Sequence, residues 1–232
     1  MPDYMEELTK EIDLNQEKPL YRIIYESLRK AIIEGLIPMG ERINEKNYAV
    51  ALNVSRTPVR VALQRLEDDG IVKHVPNIGI VVTRIKTKDV EEIYQIRVAL
   101  DILATKNAAK FMTAEREQKM IDLLDRTEAA NEAGEVQEVI DLAKEFNHSI
   151  YEYADMPHLQ SIQEKLHDYL ARFRDVSLMS DDRRGDAIKE HRLIFEYMRT
   201  GEQEKMEALI TQHLSLSKKF ILLEMEGQKE NE

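Results

Sequence analysis

The sequence predicts a mostly α-helical protein in which a small N-terminal domain precedes an all-α antiparallel helical bundle. Two observations support this prediction. Five of the six prolines and four of the eight glycines lie before residue 86, so turns are concentrated in that part of the chain. Beyond residue 86, apolar residues recur at helical spacing over long stretches. We therefore expect one domain boundary near this position.

The charge of the chain is unevenly distributed. The formal net charge is -11, yet residues 18–86 carry a net charge of +5. The 17 residues before this segment carry -5, and residues 87–232 carry -11. The acidic total therefore hides a basic segment that could face a polyanion.

Composition excludes several classes of protein. The chain has no cysteine, which excludes disulfides, thiolate nucleophiles and cysteine-ligated zinc. No apolar run approaches the roughly 20 residues that cross a bilayer, and the acidic N-terminus does not resemble a secretory signal. We expect a cytoplasmic protein without membrane contact.

The N-terminal domain is predicted to begin with two helices. Apolar residues in LYRIIYESLRKAII form one stripe that ends before Gly35, and NEKNYAVAL forms a short second helix. Asn53 then occupies a tight turn, because asparagine tolerates a left-handed backbone. The residues expected to face inward are Leu20, Ile24, Leu28, Ala31, Ile32, Tyr48, Ala49 and Leu52.

A third helix and a β-hairpin complete this domain. Ser55 is a suitable N-cap for the helix, and Pro58 is tolerated in its first turn. The segments IVKHV and IVVTRI, joined by PNIG, predict a two-stranded hairpin. Three helices followed by a hairpin are the parts of a winged helix-turn-helix. The predicted inward stripe of the third helix is Val59, Ala62, Leu63 and Leu66.

Burial of that stripe would leave Arg56, Arg60 and Gln64 outward in one row. In the major groove of DNA, arginine can donate two hydrogen bonds to guanine, and glutamine can bond adenine in the same way. Ser55 and Thr57 are suited to phosphate. The alternative is a solvated face in which the arginines pair with Glu67 or Asp68.

Residues 20–82 resemble the DNA-binding domain of GntR-family bacterial transcriptional regulators. The similarity lies in SRTPVR, ALQRLE, the following glycine and the PN-x-G wing. Met39 replaces the usual proline before Gly40, and Ile78 replaces the arginine common in the wing. The resemblance implies that DNA is held by Lys46, Ser55, Arg56, Thr57 and Arg60, with Asn77 and Gly79 at the wing tip in the minor groove.

The second domain is predicted to contain about six amphipathic helices joined by short loops. In the first of these, Ile93, Ile96, Leu100 and Leu103 share one face, and Arg97 lies beside it with Asp101 as its partner. The chain is expected to break at Ser180–Gly185. The later helices are predicted over residues 114–132, 135–154, 157–178, 186–199 and 202–226.

Three of these helices carry a polar residue on an apolar face: Asn147, His191 and His213. Each could be a core residue that hydrogen-bonds to a neighbour or a water. Three such groups together with Arg97 favour a polar cavity instead. Because arginine suits carboxylates and phosphates, the expected ligand is a small anionic metabolite such as an organic acid.

The motifs IRVALD, FN with IY, EHRLIF and QHL resemble the helical FCD effector domain of FadR-type GntR regulators. Many such proteins hold a metal with an Asp and a His four residues apart and two later His. Here Ala143 and Asn147 replace the first pair, whereas His191 and His213 match the later two. Zinc or nickel binding by the two histidines is therefore the weaker hypothesis.

The sequence as a whole predicts a homodimeric DNA-binding regulator, most simply a repressor, that acts on an inverted-repeat operator and is controlled by the anionic metabolite. The alternatives are a metal-responsive regulator and a metal-dependent hydrolase. Catalysis is not expected, because no nucleophile motif or glycine-rich phosphate loop is present. The expected segments are an N-terminal arm over 1–17, a DNA-binding domain over 18–85, an effector-binding and dimerisation domain over 86–227, and a tail over 228–232.

Overall fold

The computed structural model describes residues 4–13, 16–170 and 176–230. The chain divides into two compact units, Met1–Ile85 and Lys86–Glu232. The predicted fold class is confirmed, since a small helical unit with a β-sheet is followed by an all-helical unit.

The N-terminal unit combines short helices with one small antiparallel sheet. Its elements are α1 (Met5–Glu11), α2 (Leu20–Ile33), β1 (Arg42–Ile43), α3 (Glu45–Ala51), α4 (Arg56–Asp68), β2 (Val72–Val75) and β3 (Gly79–Val82). The strand order is β1-β3-β2, and Ile43 of β1 pairs with Ile80 of β3. The sequence predicted only the β2–β3 hairpin, because β1 is two residues long.

The predicted apolar stripes of α2, α3 and α4 form the core of this unit. Leu28, Leu63 and Leu66 are completely buried. Asn53, between α3 and α4, has a φ of 53°, as predicted for the tight turn. The turn and the stripes together fix the outward face of α4.

Helix α1 and the residues beside it are part of this core, in contrast to the expected arm over residues 1–17. Met5, Leu8 and Ile12 are buried with the apolar residues of the other helices. The Tyr4 hydroxyl donates to Glu41 Oε1 over 3.2 Å and lies 3.1 Å from the Tyr48 hydroxyl. The acidic composition of residues 1–17 suggested an arm. However, Met5, Leu8 and Ile12 recur at helical spacing, which places them on one buried face of the segment.

The C-terminal unit is built from helices. The helices are α5 (Thr87–Lys110), α6 (Ala114–Glu132), α7 (Val136–Tyr153), α8 (Pro157–Tyr169), α9 (Val176–Met179), α10 (Asp181–Thr200) and α11 (Gln203–Glu230). Helices α6 and α7 pack together across a turn at Gly134. Helix α5 packs against α7 and α11, and α10 packs against α6 and α11.

The buried face of α5 differs from the predicted one. Ile96 and Leu103 are 40% and 46% exposed, whereas Arg97 and Asp101 are buried. The buried face of α5 combines apolar residues such as Val90 and Ala104 with the polar Arg97 and Asp101. Asp101 accepts hydrogen bonds from Tyr151 of α7 and Gln163 of α8. The predicted apolar face of α5 is therefore present, but beyond Ile93 it is not the buried face.

The predicted break at Ser180–Gly185 is confirmed at Ser180 but is shorter than predicted. Helix α10 begins at Asp181, directly after Ser180 at the N-cap, and includes Gly185 in its second turn. Asp181 and Asp182 in the first turn interact favourably with the helix dipole. The predicted helix 157–178 ends at Tyr169 instead, with the short α9 after it; residues 171–175 lie outside the described residues.

The far C-terminus is helical as far as Glu230, so the expected tail over 228–232 begins inside α11. None of the helices in the described ranges has the length and hydropathy needed to span a bilayer.

Packing of α1 predicts that Leu8→Ala destabilises the protein. Leu8 is 1% exposed, so the substitution removes buried methyl groups and leaves a cavity. We expect a loss of about 2–4 kcal/mol in the free energy of unfolding of the N-terminal unit, measured by urea denaturation. Glu7→Ala, at an exposed position of the same helix, should change it by less than about 0.5 kcal/mol. Equal effects of the two variants would show that α1 does not belong to the core.

Candidate DNA-binding surface and internal cavity

Helix α4 begins immediately after the tight turn. Ser55 has the extended backbone of an N-cap residue, with φ -68° and ψ 159°, but its hydroxyl makes no capping hydrogen bond. The prediction of a capping role for its side chain is therefore wrong, although its position is correct. Ser55 and Thr57 are both exposed at the start of the helix. Their hydroxyls are accessible beside the free backbone amides of the first turn.

The row predicted from the sequence is present on the outer face of α4. The side chains of Arg56 and Arg60 are 60% and 66% exposed. Gln64 is exposed one turn further along, while Val59 and Leu63 are completely buried on the opposite side. The row is held outward by the burial of the apolar stripe.

Both arginines pair with Glu45, and not with the acids named in the alternative. Arg60 Nε lies 3.1 Å from Glu45 Oε2, and Arg60 Nη2 lies 3.0 Å from Glu45 Oε1. Arg56 Nε lies 3.2 Å from the same Oε1. The hydrogen bond from Arg60 is the main cause that lowers the pKa of Glu45. Glu67 instead accepts a hydrogen bond from the backbone N–H of His74.

The remaining predicted DNA contacts lie at exposed positions of the N-terminal unit. Lys46 is exposed in the first turn of α3, which Asn44 caps by accepting from the backbone N–H groups of Lys46 and Asn47. At the hairpin turn, Asn77 has a φ of 65° and Gly79 a φ of 102°. Ile78, which stands between them, is 47% exposed.

The C-terminal unit contains a small, partly open cavity of about 100 Å³ between α5, α7, α8, α9, α10 and α11. All four predicted effector residues lie on its wall: Arg97, Asn147, His191 and His213. It is also lined by the polar residues Lys144, Tyr151, Ser217, His148 and His167 and by the acidic residue Glu164. The cavity wall is therefore rich in hydrogen-bond donors.

Arg97 is a buried cation whose hydrogen-bonding capacity is only partly used. Its Nη2 lies 3.8 Å from Asp101 Oδ2, and its guanidinium lies 4.9 Å from the centre of the Tyr94 ring. Its buried Nε has no hydrogen-bond partner among the described residues. Asp101 also accepts from the Tyr151 hydroxyl over 2.7 Å and from the Gln163 amide. The expected Arg97–Asp101 pair is thus long and shared with other donors.

His191 is a buried residue of the cavity wall. Its ring stacks on Phe146 at 4.4 Å and lies 4.9 Å from the ring of His213. Burial, with smaller effects of His213 and Arg183, lowers the pKa of His191 well below its usual value. The imidazole is therefore neutral at physiological pH, and its Nε2 has no partner among the described residues.

The half-buried His213 contacts the buried ion pair of Glu190 and Arg183. His213 Nδ1 lies 2.6 Å from Glu190 Oε2, and Arg183 Nη1 donates to the same oxygen over 2.8 Å. Burial raises the pKa of Glu190, but the hydrogen bonds with His213 and Arg183 outweigh it, and the pKa falls below the ordinary value. Glu190 is therefore ionised, and it fixes the orientation of the His213 ring.

Sequence reasoning missed part of this site. Ser217 follows His213 by four residues, so helical spacing alone could have placed it on the same wall. Arg183 could not be found in this way, because the sequence predicted a loop at its position. Its burial follows from the early start of α10.

The donor set does not fit a divalent metal. Ala143 has no ligand atom, and the Asn147 amide donates to the Ala143 carbonyl over 3.0 Å. The Nδ1 of His213 is occupied by Glu190. No group of three His, Asp or Glu side chains suited to a metal occurs in the part of the chain that the structure describes.

Two family models match the chain. The model of the bacterial regulatory proteins of the gntR family matches residues 20–82, and the FCD domain matches residues 92–216, more than half of the chain. The chain belongs to the GntR family, with an FCD domain as its second part. It is therefore a DNA-binding transcriptional regulator and not an enzyme, and its FCD domain is a ligand-binding domain.

Individual relatives agree with this assignment. The chain is 32% identical over 219 residues to the HTH-type transcriptional regulator YdhC of Bacillus subtilis, which covers 94% of this chain and 98% of the relative. It is 28% identical to the HTH-type transcriptional repressor RspR of Escherichia coli, over 89% of this chain and 91% of that protein. The structure of E. coli McbR/YncC has the same fold, with a TM-score of 0.72 at 21% identity, over 90% of this chain and 99% of that one.

The buried cluster predicts that Arg183→Met strongly destabilises the GntR regulator. The substitution removes the cation nearest to the buried Glu190, whose desolvation is then poorly compensated. We expect a loss of about 3 kcal/mol in the free energy of unfolding, measured by urea denaturation of the C-terminal unit. Arg192→Met is the matched control: Arg192 lies on the same helix but pairs with Asp125 and Glu128 near the surface, and its loss should cost at most about 1 kcal/mol. A similar cost for both variants would contradict the assigned role of the cluster.

Proposed function

We propose that this GntR regulator is a cytoplasmic repressor that binds an inverted-repeat operator as a homodimer and changes its DNA affinity when a small organic acid enters the cavity. The partnerless buried Nε of Arg97 on the cavity wall is the observation that supports an anionic effector most directly. The relative named as a repressor favours the negative sign of regulation.

The outward row of α4 supports base reading in the major groove. Arg56, Arg60 and Gln64 are exposed side by side on a helix of the width that the groove accepts. Lys46, Ser55 and Thr57 are exposed around the start of the two helices and suit phosphate. Asn77 and Gly79, with positive φ at the hairpin turn, form the tip that would enter the minor groove.

A dimer is supported by the limited reading capacity of one such helix and by an apolar stripe on α5. One row of three side chains discriminates poorly among genomic sites, and two rows related by a twofold axis double the readout. Ile96 and Leu103, with the half-buried Leu100 between them, are exposed in the single chain. A stripe of this kind is suited to cover by a second copy.

The size and chemistry of the cavity define the class of effector. A volume of about 100 Å³ is smaller than an engineered cavity of about 150 Å³ that holds benzene, so the ligand has roughly six heavy atoms or fewer. Arg97 and Asn147 offer N–H donors, whereas the open ring nitrogens of His191 and His213 donate or accept according to the tautomer. The buried Nε of Arg97 has no hydrogen-bond partner among the described residues. A two- to four-carbon carboxylate meets both conditions.

The metal-responsive alternative has less support. Of the four ligand positions in the family pattern, only His191 and His213 keep a ligand for zinc or nickel, because Ala143 replaces the Asp and Asn147 replaces the first His. The Nδ1 of His213 already bonds to Glu190, so that ring could offer a metal only its Nε2. The hydrolase alternative is excluded by the family, whose members are regulators.

Base reading predicts different outcomes for Arg60→Ala and Lys46→Ala. Arg60→Ala should cost about 1–3 kcal/mol of operator affinity and relax the preference at one base pair. Lys46→Ala should weaken binding to all sequences and reduce the slope of affinity against salt by about one charge. Both are measured by fluorescence anisotropy on duplexes that the wild type selects from a random pool. If Arg60→Ala preserves every base preference, α4 does not read the groove through this residue.

Effector binding predicts a thermal shift that depends on the cavity. A panel of two- to four-carbon monocarboxylates, with oxalate as the smallest dicarboxylate, should include one that stabilises the wild type by about 3 kcal/mol at a hundredfold excess over its Kd. The same acid should change operator affinity. His213→Leu should abolish both responses and preserve DNA binding without the acid, and Arg97→Lys should weaken them.

Zinc and nickel chlorides are the comparison ligands in this screen, and Arg192→Met is the control variant outside the cavity. A stabilising acid that also acts on His213→Leu would place the effector elsewhere. Stabilisation by the metals alone, lost in His213→Leu, would favour the metal-responsive alternative.

A further inference from the structure

Glu45 is placed to do more than neutralise charge on the DNA-binding surface. Its single carboxylate, 20% exposed, contacts two arginines that are 60% and 66% exposed on the neighbouring helix. Exposed ion pairs contribute little to stability, so stabilisation of the unit is a weak reason for this arrangement. The contact instead decides where the Arg56 and Arg60 guanidinium groups point.

The hydrogen bonds that Arg60 makes leave its guanine-reading edge open. A guanidinium has five N–H donors, and Glu45 takes one from Nε and one from Nη2 of Arg60. The outer edge, formed by Nη1 and the second N–H of Nη2, keeps its donors for the O6 and N7 atoms of guanine. Arg56 contacts the same carboxylate through Nε over 3.2 Å, a contact at the edge of its guanidinium that faces Glu45.

We propose that Glu45 is a positioning residue for sequence discrimination, holding Arg60 and Arg56 by their inner edges so that their outer edges meet bases and not phosphates. This inference rests on the proposed base-reading role of Arg60. Fixing a long, exposed side chain before binding reduces the conformational entropy lost on the correct site.

Glu45 also acts against wrong sites. A carboxylate beside the arginines repels DNA phosphates and keeps the guanidinium groups from the backbone contacts that dominate non-specific binding. Removal of this carboxylate should therefore strengthen binding to unrelated DNA while it weakens, or leaves unchanged, binding to the operator. A residue with a purely structural role would lower both affinities together.

The test uses the full chain and two duplexes of equal length: one selected by the wild type from a random pool, and one with the same bases scrambled. Glu45→Ala is expected to lower the ratio of the two affinities about tenfold. Affinity for the scrambled duplex should rise, with a steeper dependence on salt. Asp68→Asn is the matched control, because it removes one negative charge at the exposed far end of α4 and should leave the ratio unchanged.

A second variant and a double mutant separate positioning from folding. Glu45→Gln keeps the length and one acceptor oxygen of the side chain, so it should give an intermediate ratio and carries the test if Glu45→Ala unfolds. At the base pair whose preference Arg60→Ala relaxes, adding Glu45→Ala to Arg60→Ala should reduce discrimination no further, because Glu45 acts there through Arg60.

The outcomes distinguish this inference from the proposed function. If Arg60→Ala leaves all base preferences intact, the base-reading proposal fails, and the inference fails with it. If Arg60→Ala relaxes one base pair but folded Glu45→Ala and Glu45→Gln keep the wild-type ratio, or raise both affinities equally, the positioning role alone is overturned.

Discussion

Burial of one apolar stripe on α4 determines what the DNA-binding unit presents to solvent. Val59, Leu63 and Leu66 are completely buried. Because side chains on opposite faces of a helix point in opposite directions, Arg56, Arg60 and Gln64 are exposed to solvent. The turn at Asn53 sets the approach of α3, which brings Glu45 within hydrogen-bond distance of that face. The chemistry of the surface is thus a consequence of how the core is filled.

The interior of the FCD domain differs from that of the DNA-binding unit, because it contains buried charged side chains. Arg183 and His213 share the Glu190 carboxylate, so these three groups largely satisfy one another. Arg97 and His191 each keep a buried nitrogen without a partner among the described residues, and both lie on the cavity wall. Buried polar atoms without a hydrogen-bond partner cost free energy, and an anionic ligand that accepts from the Nε of Arg97 would recover part of that cost.

The sequence predicted those features that depend on local spacing. The stripe of α4 and the turn at Asn53 are of this kind, as are the cavity positions of Asn147, His191 and His213. The sequence did not predict which face of α5 is buried. Two faces of that helix carry apolar residues at helical spacing, and only the packing of the neighbouring helices decides which of them is buried. The sequence also missed the Glu45 contacts, since a pair 15 residues apart is created by tertiary structure.

The helix at the beginning of the chain has a practical consequence for fragments of this protein. The family match for DNA binding starts at residue 20, yet Met5 and Leu8 lie before it and fill part of the same core. A fragment trimmed to the family boundary would present their former binding surface, including Tyr48, to water. Such a fragment would be prone to self-association, and weak DNA binding by it would reflect the missing turns of helix and not a poor recognition surface.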